Sequence, residues 1–166
     1  IKIFLGTEAV ALYSLASSLI GHIRSLMPIE GIVSPIIPQY INDKERLNRI
    51  LGKSVKYQLL GYAVIGFAAF VFMPPFVGYF FPHYLPALPL YNVMLFSLVP
   101  TGFAVIIAPV FYALRRQKSL FFAYAARLAM TAVFMPVLAY YFGVIGVAYE
   151  FVLTLLAFVA LRYWAL

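Results

Sequence analysis

Asn42-Asp43-Lys44-Glu45-Arg46-Leu47-Asn48-Arg49-Ile50-Leu51-Gly52-Lys53-Ser54-Val55-Lys56 is the stretch that decides how this chain reads. Five cations stand there against two acids, and an apolar run from 55 to 81 follows at once. A second basic group, Arg115, Arg116 and Lys118, closes the next apolar run. Between those two runs, Phe81-Pro82-His83-Tyr84-Leu85-Pro86 carries no Lys, Arg or acid. The two basic stretches hold eight of the twelve Lys and Arg. Basic loops alternating with uncharged ones, across bilayer-length apolar segments, are the pattern of the positive-inside rule. The expected fold is an all-α, polytopic transmembrane helix bundle.

Composition agrees. Hydrophobic residues make up 65% of the chain and charged residues 10%, with a mean hydropathy of +0.98. A soluble domain is nearer half apolar and a quarter charged, and one of this size has too little interior to hide such a surface. The net charge of +7 and pI near 9.7 would suit nucleic acid, but these cations sit at membrane boundaries, where anionic headgroups and topology account for them. The absence of cysteine excludes a disulfide framework and a thiolate metal site.

A spanning helix needs about 20 mostly apolar residues. Five stretches qualify: 9–41, 55–81, 88–114, 120–142 and 144–163. The first is long for one span, and Pro28, Pro35 and Pro38 predict a kink in it. The basic loops go to the cytoplasm; the 81–86 turn and Tyr140-Tyr141-Phe142-Gly143 go outside, with Tyr79, Tyr84, Tyr140 and Tyr141 at that interface. The N-terminus is then external and the C-terminus cytoplasmic, with Arg162 anchoring the last span. Residues 1–6 read as the end of a sixth helix, and the chain as a piece of a longer protein.

Polar residues inside the spans are the candidate functional groups. On a helical projection of the first span, Arg24, Ser17, Pro28, Gly21, Ser14, Ser25, Ser18 and His22 form one small, polar face; Leu12, Leu15, Leu19, Ile23 and Leu26 form an oily side. The polar face suits either a small-residue packing seam or a water-filled cavity. Arg24 falls near mid-depth, where an unpaired cation costs roughly 2.5–3.5 kcal/mol on the insertion scale. It must therefore meet water, an acid such as Glu30, or an anionic ligand. Arg127 is the second mid-span cation, placed either in a pathway or snorkelling to the cytoplasmic side. Glu150, a turn or two below the outer surface, reads as an interfacial or helix-pairing group. The candidate functional residues inside the spans are Arg24, Arg127, His22, Ser17 and Glu30. No catalytic motif and no metal-ligating or cofactor-binding pattern stands out, so no enzymatic activity and no cofactor are expected.

Several motifs share an order. Phe4-Leu5-Gly6-Thr7-Glu8-Ala9-Val10-Ala11-Leu12-Tyr13-Ser14-Leu15-Ala16 starts the first span, and Pro38 precedes Asn42-Asp43-Lys44-Glu45-Arg46-Leu47. Phe81-Pro82-His83-Tyr84-Leu85-Pro86-Ala87 and Tyr141-Phe142-Gly143-Val144-Ile145-Gly146-Val147-Ala148 form the uncharged turns. In this order they resemble the C-terminal half of the polysaccharide, or lipid-linked oligosaccharide, flippases of the multidrug/oligosaccharidyl-lipid/polysaccharide (MOP) exporter superfamily. Ala11 and Pro82 stand where that family usually has glycine. The resemblance implies one bundle of a two-bundle transporter in the cytoplasmic (inner) membrane, working by alternating access. Its implied partners are the bilayer, an N-terminal bundle of the same protein, and a sugar unit on a polyprenyl pyrophosphate. It implies that Arg24 and Arg127 contact the pyrophosphate, that Ser17 and His22 belong to the polar wall of the transport pathway, and that Pro28, Pro100 and Pro109 are candidate hinges for the rocking motion. A multidrug/cation antiporter of the same superfamily, with Glu30 as its coupling acid, a non-transporting membrane scaffold and an integral-membrane transferase are the alternatives.

Overall fold

The structure, a computed structural model, describes residues 2–164, and side chains from residue 6 to 164. Every helix or strand element described is helical. In chain order these are α1 (Lys2–Ser25), α2 (Ile29–Val33), a 3-10 turn (Ile37–Tyr40), α3 (Lys44–Phe80), a second 3-10 turn (Pro82–Ala87), α4 (Leu88–Leu95), α5 (Leu98–Ala113) and α6 (Gln117–Trp164).

Two helices, α3 and α6, are long and apolar enough to cross a membrane. The segments Pro82–Leu95 and Leu98–Ala113, bent by 49° at their junction, qualify together as a third. Large apolar side chains face outward along them, among them Phe67, Phe121, Phe122 and Leu128, each about 70% exposed. Long apolar helices with such a surface point to membrane association. The five separate runs expected from sequence are therefore carried as two long helices and a bent pair, together with α1.

The first expected run, 9–41, is not one helix. α1 ends at Ser25, and the chain re-enters helix only at Ile29 and again at Ile37. Proline explains the break. Pro28 has no N–H to give the Arg24 carbonyl, and that carbonyl accepts from the Met27 amide instead (3.3 Å). Gln58, fully buried on α3, reaches the break and donates to the Met27 carbonyl (3.3 Å). At the other end, Gly6 is non-helical (φ 82, ψ 179), which separates the turn before it from the helix after it. Ile1 lies outside the described residues.

α3 starts eleven residues before the expected run, and the reason is local. The Asp43 carboxylate accepts from the Arg46 amide (3.0 Å), an N-cap that satisfies an otherwise unpaired donor. Arg49 pairs with Glu45 one turn back (3.1 Å), and the Arg46 guanidinium lies over the Tyr40 ring. Asp43→Ala should weaken this start by about 1 kcal/mol, read as roughly fivefold faster exchange of the Arg46 amide.

α6 is the element in which the uninterrupted label hides a fold. Gly143 (φ 62, ψ −142) breaks the helix, in a region only glycine occupies without strain. The chain then doubles back. Tyr124 stacks near Phe158 (4.9 Å between centroids) and Phe142 near Tyr149 (6.4 Å). A Cβ on Gly146 would overlap the Leu138 carbonyl. These contacts make 117–142 and 144–164 antiparallel legs of one helical hairpin, turning where the Gly143 motif predicts.

Three clusters hold the helices. Ala16, Ile20 and Ile23 of α1 meet Tyr62 of α3, Leu90, Tyr91 and Met94 of α4, Leu98 of α5 and Ala148 of α6. Val33 and Ile37 meet Leu47 and Val110, which brings the start of α3 beside the end of α5. The two basic stretches thus share one end of the bundle. Ala123, Leu155 and Phe158 join the legs of α6. The buried stripe of α1 lies between its predicted polar and oily faces. Ser14, Ser18, Gly21, His22 and Ser25 are exposed, so this small-residue face is no packing seam for any described helix.

Candidate functional site

The break between α4 and α5 sets the site. Pro100 has no amide to offer the Phe96 carbonyl, so the helix halts at Phe96-Ser97 and restarts at Leu98. Ser97 is fully buried there. Its hydroxyl accepts from Arg24 Nη2 (2.9 Å), while its carbonyl accepts from Thr101 Oγ1 (2.7 Å). The cation at mid-helix on α1 is thus tied to the bend of another helix rather than to an acid. Pro109 produces no comparable break, since α5 runs on to Ala113.

Beside this contact lies a cavity of about 330 Å³ whose walls include Arg24, Glu30, Thr101, Arg127, Phe158 and Arg162. That volume is room for on the order of ten waters. Three arginines from three helical segments converge on it. Aromatic faces hold them in sequence. Arg24 and Arg127 lie over the Phe151 ring at 5.5 and 5.7 Å; Arg127 and Arg162 lie over Phe158 at 5.4 and 4.1 Å; Arg162 also lies over Tyr124 at 5.0 Å. Each such contact contributes about 0.5–2 kcal/mol, more when desolvated.

A ring stacks on the face of a guanidinium and leaves its N–H edge free. Arg162 Nη1 donates to the Ala104 carbonyl (2.9 Å), yet its Nε and Nη2 are buried without a hydrogen bond, as is Arg24 Nε. The shared rings put Arg24 and Arg127 within about 11 Å of each other, a repulsion of at least roughly 1.5 kcal/mol at an effective dielectric of 20. Glu30 is exposed and forms no ion pair with Arg24. Clustered cations with unused donors are what an oxyanion relieves, and guanidinium matches a phosphate edge bidentately.

Sequence reasoning named three members of this cavity, Arg24, Arg127 and Glu30. Ser17 is half-buried on α1 and is not part of its wall, and His22 is exposed, its carbonyl accepting from Ser25 Oγ (2.7 Å). Pro28 sits at the α1–α2 break and Pro100 behind the α4–α5 break. Arg162, expected to anchor a helix end, is instead 2% exposed and central. Glu150, expected as an interfacial or helix-pairing group, is 4% exposed inside the α6 hairpin. The signal for Arg162 was present in the sequence: it lies four and eight residues beyond Phe158 and Thr154 on one helical stripe. Which faces of the two legs meet, turning this stripe inward, was not.

The chain matches no family model, no curated protein and no solved structure. The class that fold and site define is a membrane-associated helical chain with an arginine-lined cavity.

Proposed function

We propose that this chain is part of a membrane transporter that moves an anionic lipid-linked head group, and that the arginine cavity receives the anion. The observation that carries the reading is the convergence of Arg24, Arg127 and Arg162 on one cavity with unused donors. In an apolar bundle such cations are costly and need a functional partner. The resemblance to the lipid-linked oligosaccharide flippases supports the same substrate class, a sugar unit on a polyprenyl pyrophosphate, flipped across the cytoplasmic membrane by alternating access.

On this reading α1, α3, the bent pair and the two legs of α6 make five crossings, with the basic end cytoplasmic and residue 1 external. The exposed polar face of α1 fronts the cavity shared with a second bundle. Pro28 and Pro100, which stand at observed breaks, serve as bend points. A cation antiporter built on Glu30 fits less well, because a cation approaching that carboxylate would meet three arginines.

The test is translocation of lipid-linked oligosaccharide in cells that depend on the protein containing this chain. Arg24→Ala and Arg24→Glu should lose transport at matched expression, and Arg24→Lys should retain part of it. A charge reversal that left translocation intact would remove Arg24 from the pathway.

A further inference from the structure

The outward face of α3 joins two chemistries that the arginine cavity does not use. Arg46, Arg49, Lys53 and Lys56 recur at steps of three and four residues, which puts them on one face of the helix. Leu60, Val64 and Phe67 continue the same lane and are exposed. Leu47, Gln58 and Tyr62 are buried on the opposite side, against the bundle. Of the two acids nearby, Glu45 pairs with Arg49 and Asp43 caps the helix. Arg46, Lys53 and Lys56 are exposed and form no ion pair with a described residue.

Beyond the cations, α3 borders an open groove of about 560 Å³. Its α3 wall runs from Leu59 to Phe70, and its other wall is the α4–α5 bend, with Phe96 and Leu98 on either side of Ser97. At 1.5 Å per residue, that α3 wall lies about 5–21 Å along the axis from Lys56. Half of the hydrocarbon core of a bilayer is about 15 Å deep. A headgroup held at Lys56 therefore has an apolar channel beside it over the length of an acyl chain. Lys53 and Lys56 are one turn apart, with Cβ atoms about 5–6 Å from each other, so both can reach one phosphate while their stems lie along the helix.

The shape of this face selects lipid over another helix. Helices associate in a bilayer through small residues that let their backbones approach. Here Leu60, Phe67, Phe70 and Phe96 stand out from the surface. The glycine of the groove, Gly66, already faces Leu98, whose Cδ1 would lie 3.2 Å from a Cβ added there. Flexible acyl chains fill the space between such rings. The charge selects the headgroup: phosphatidylcholine brings its own cation, whereas three cations without an acid partner favour a net anionic lipid.

We propose that this face binds one anionic glycerophospholipid. Lys53 and Lys56 hold its phosphate, Arg46 borders the headgroup, and one acyl chain lies in the groove against the α4–α5 bend. The site rests on the membrane association of α3 and is independent of the arginine cavity.

Quenching by brominated lipid tests it. The chain has one tryptophan, Trp164; Trp164→Phe removes it, and Phe67→Trp places an indole where the lane meets the groove. The full chain is put into phosphatidylcholine vesicles containing a minority of phosphatidylglycerol, with bromine on the acyl chains of one lipid or the other. The relative affinity read from quenching should favour phosphatidylglycerol about 10- to 30-fold, and Lys53→Gln and Lys56→Gln should each lower it roughly fivefold. Lys118→Gln, on α6, should leave it unchanged. Equal affinity for the two lipids, or a preference that survives both lysine substitutions, overturns the site. An equal loss with Lys118→Gln assigns the preference to diffuse charge and overturns it as well. An indole that neither lipid quenches shows a face covered by protein, which also overturns it.

Discussion

Gly146→Val separates the two legs of α6. A Cβ at this position would overlap the Leu138 backbone carbonyl, and a backbone atom has no rotamer through which to retreat. The legs must move apart, and overpacking of this kind costs about 3 kcal/mol. In lipid no hydrophobic force offsets the loss, because helix association there depends on close contact between small residues. The rings of Tyr124 and Phe158 then lose their contact, and with it the platform under Arg127 and Arg162. The chain contains no cysteine, so a Phe134→Cys, Leu153→Cys pair, one residue on each leg lining the same space, gives a clean readout. It should oxidise readily in the parent chain and poorly with Gly146→Val. Equal cross-linking in both would show that the hairpin absorbs the side chain.

On the proposed anion-transport reading, Arg162→Met should lower anion affinity and translocation about 10- to 100-fold, the equivalent of the 1.5–3 kcal/mol that a hydrogen bond to a charged group contributes. Methionine keeps the length and packing over Phe158 and Tyr124 but removes the charge and the two unpaired donors. Arg162→Lys restores the charge without the planar fork and should recover part of the affinity. The readouts are sulfate binding to the chain in vesicles and translocation in cells, with the Phe134–Leu153 cross-link confirming the hairpin. Affinity unchanged in Arg162→Met would assign Arg162 to structure alone, through its bond to the Ala104 carbonyl.

The helical, apolar character of the chain was legible because it depends on composition and run length. A local signal also carried its element: Gly143 turns α6. The division of the first run was only partly legible. Pro28 announced a kink, but whether the helix continued beyond it depended on Gln58, thirty-one residues away in sequence, meeting the Met27 carbonyl. The start of α3 was set too late because the hydropathy of 44–54 is low, whereas its buried face, Leu47, is supplied by packing against Val33, Ile37 and Val110.

The site divides in the same way. Arg24 and Arg127 stood out from sequence because a cation in an apolar run is conspicuous wherever the run folds. Arg162 did not, because a charge near a run's end reads as interfacial until the neighbouring helices are placed. Sequence alone determined that this chain is helical, apolar and basic at one end, since those properties follow from residue type and spacing. Which charges are buried together was decided only by the tertiary structure. The packing of the two legs of α6 and the bend at Ser97, which Arg24 meets, bring residues 24, 127 and 162 to one cavity, and no local periodicity encodes a contact between helices so far apart in the chain.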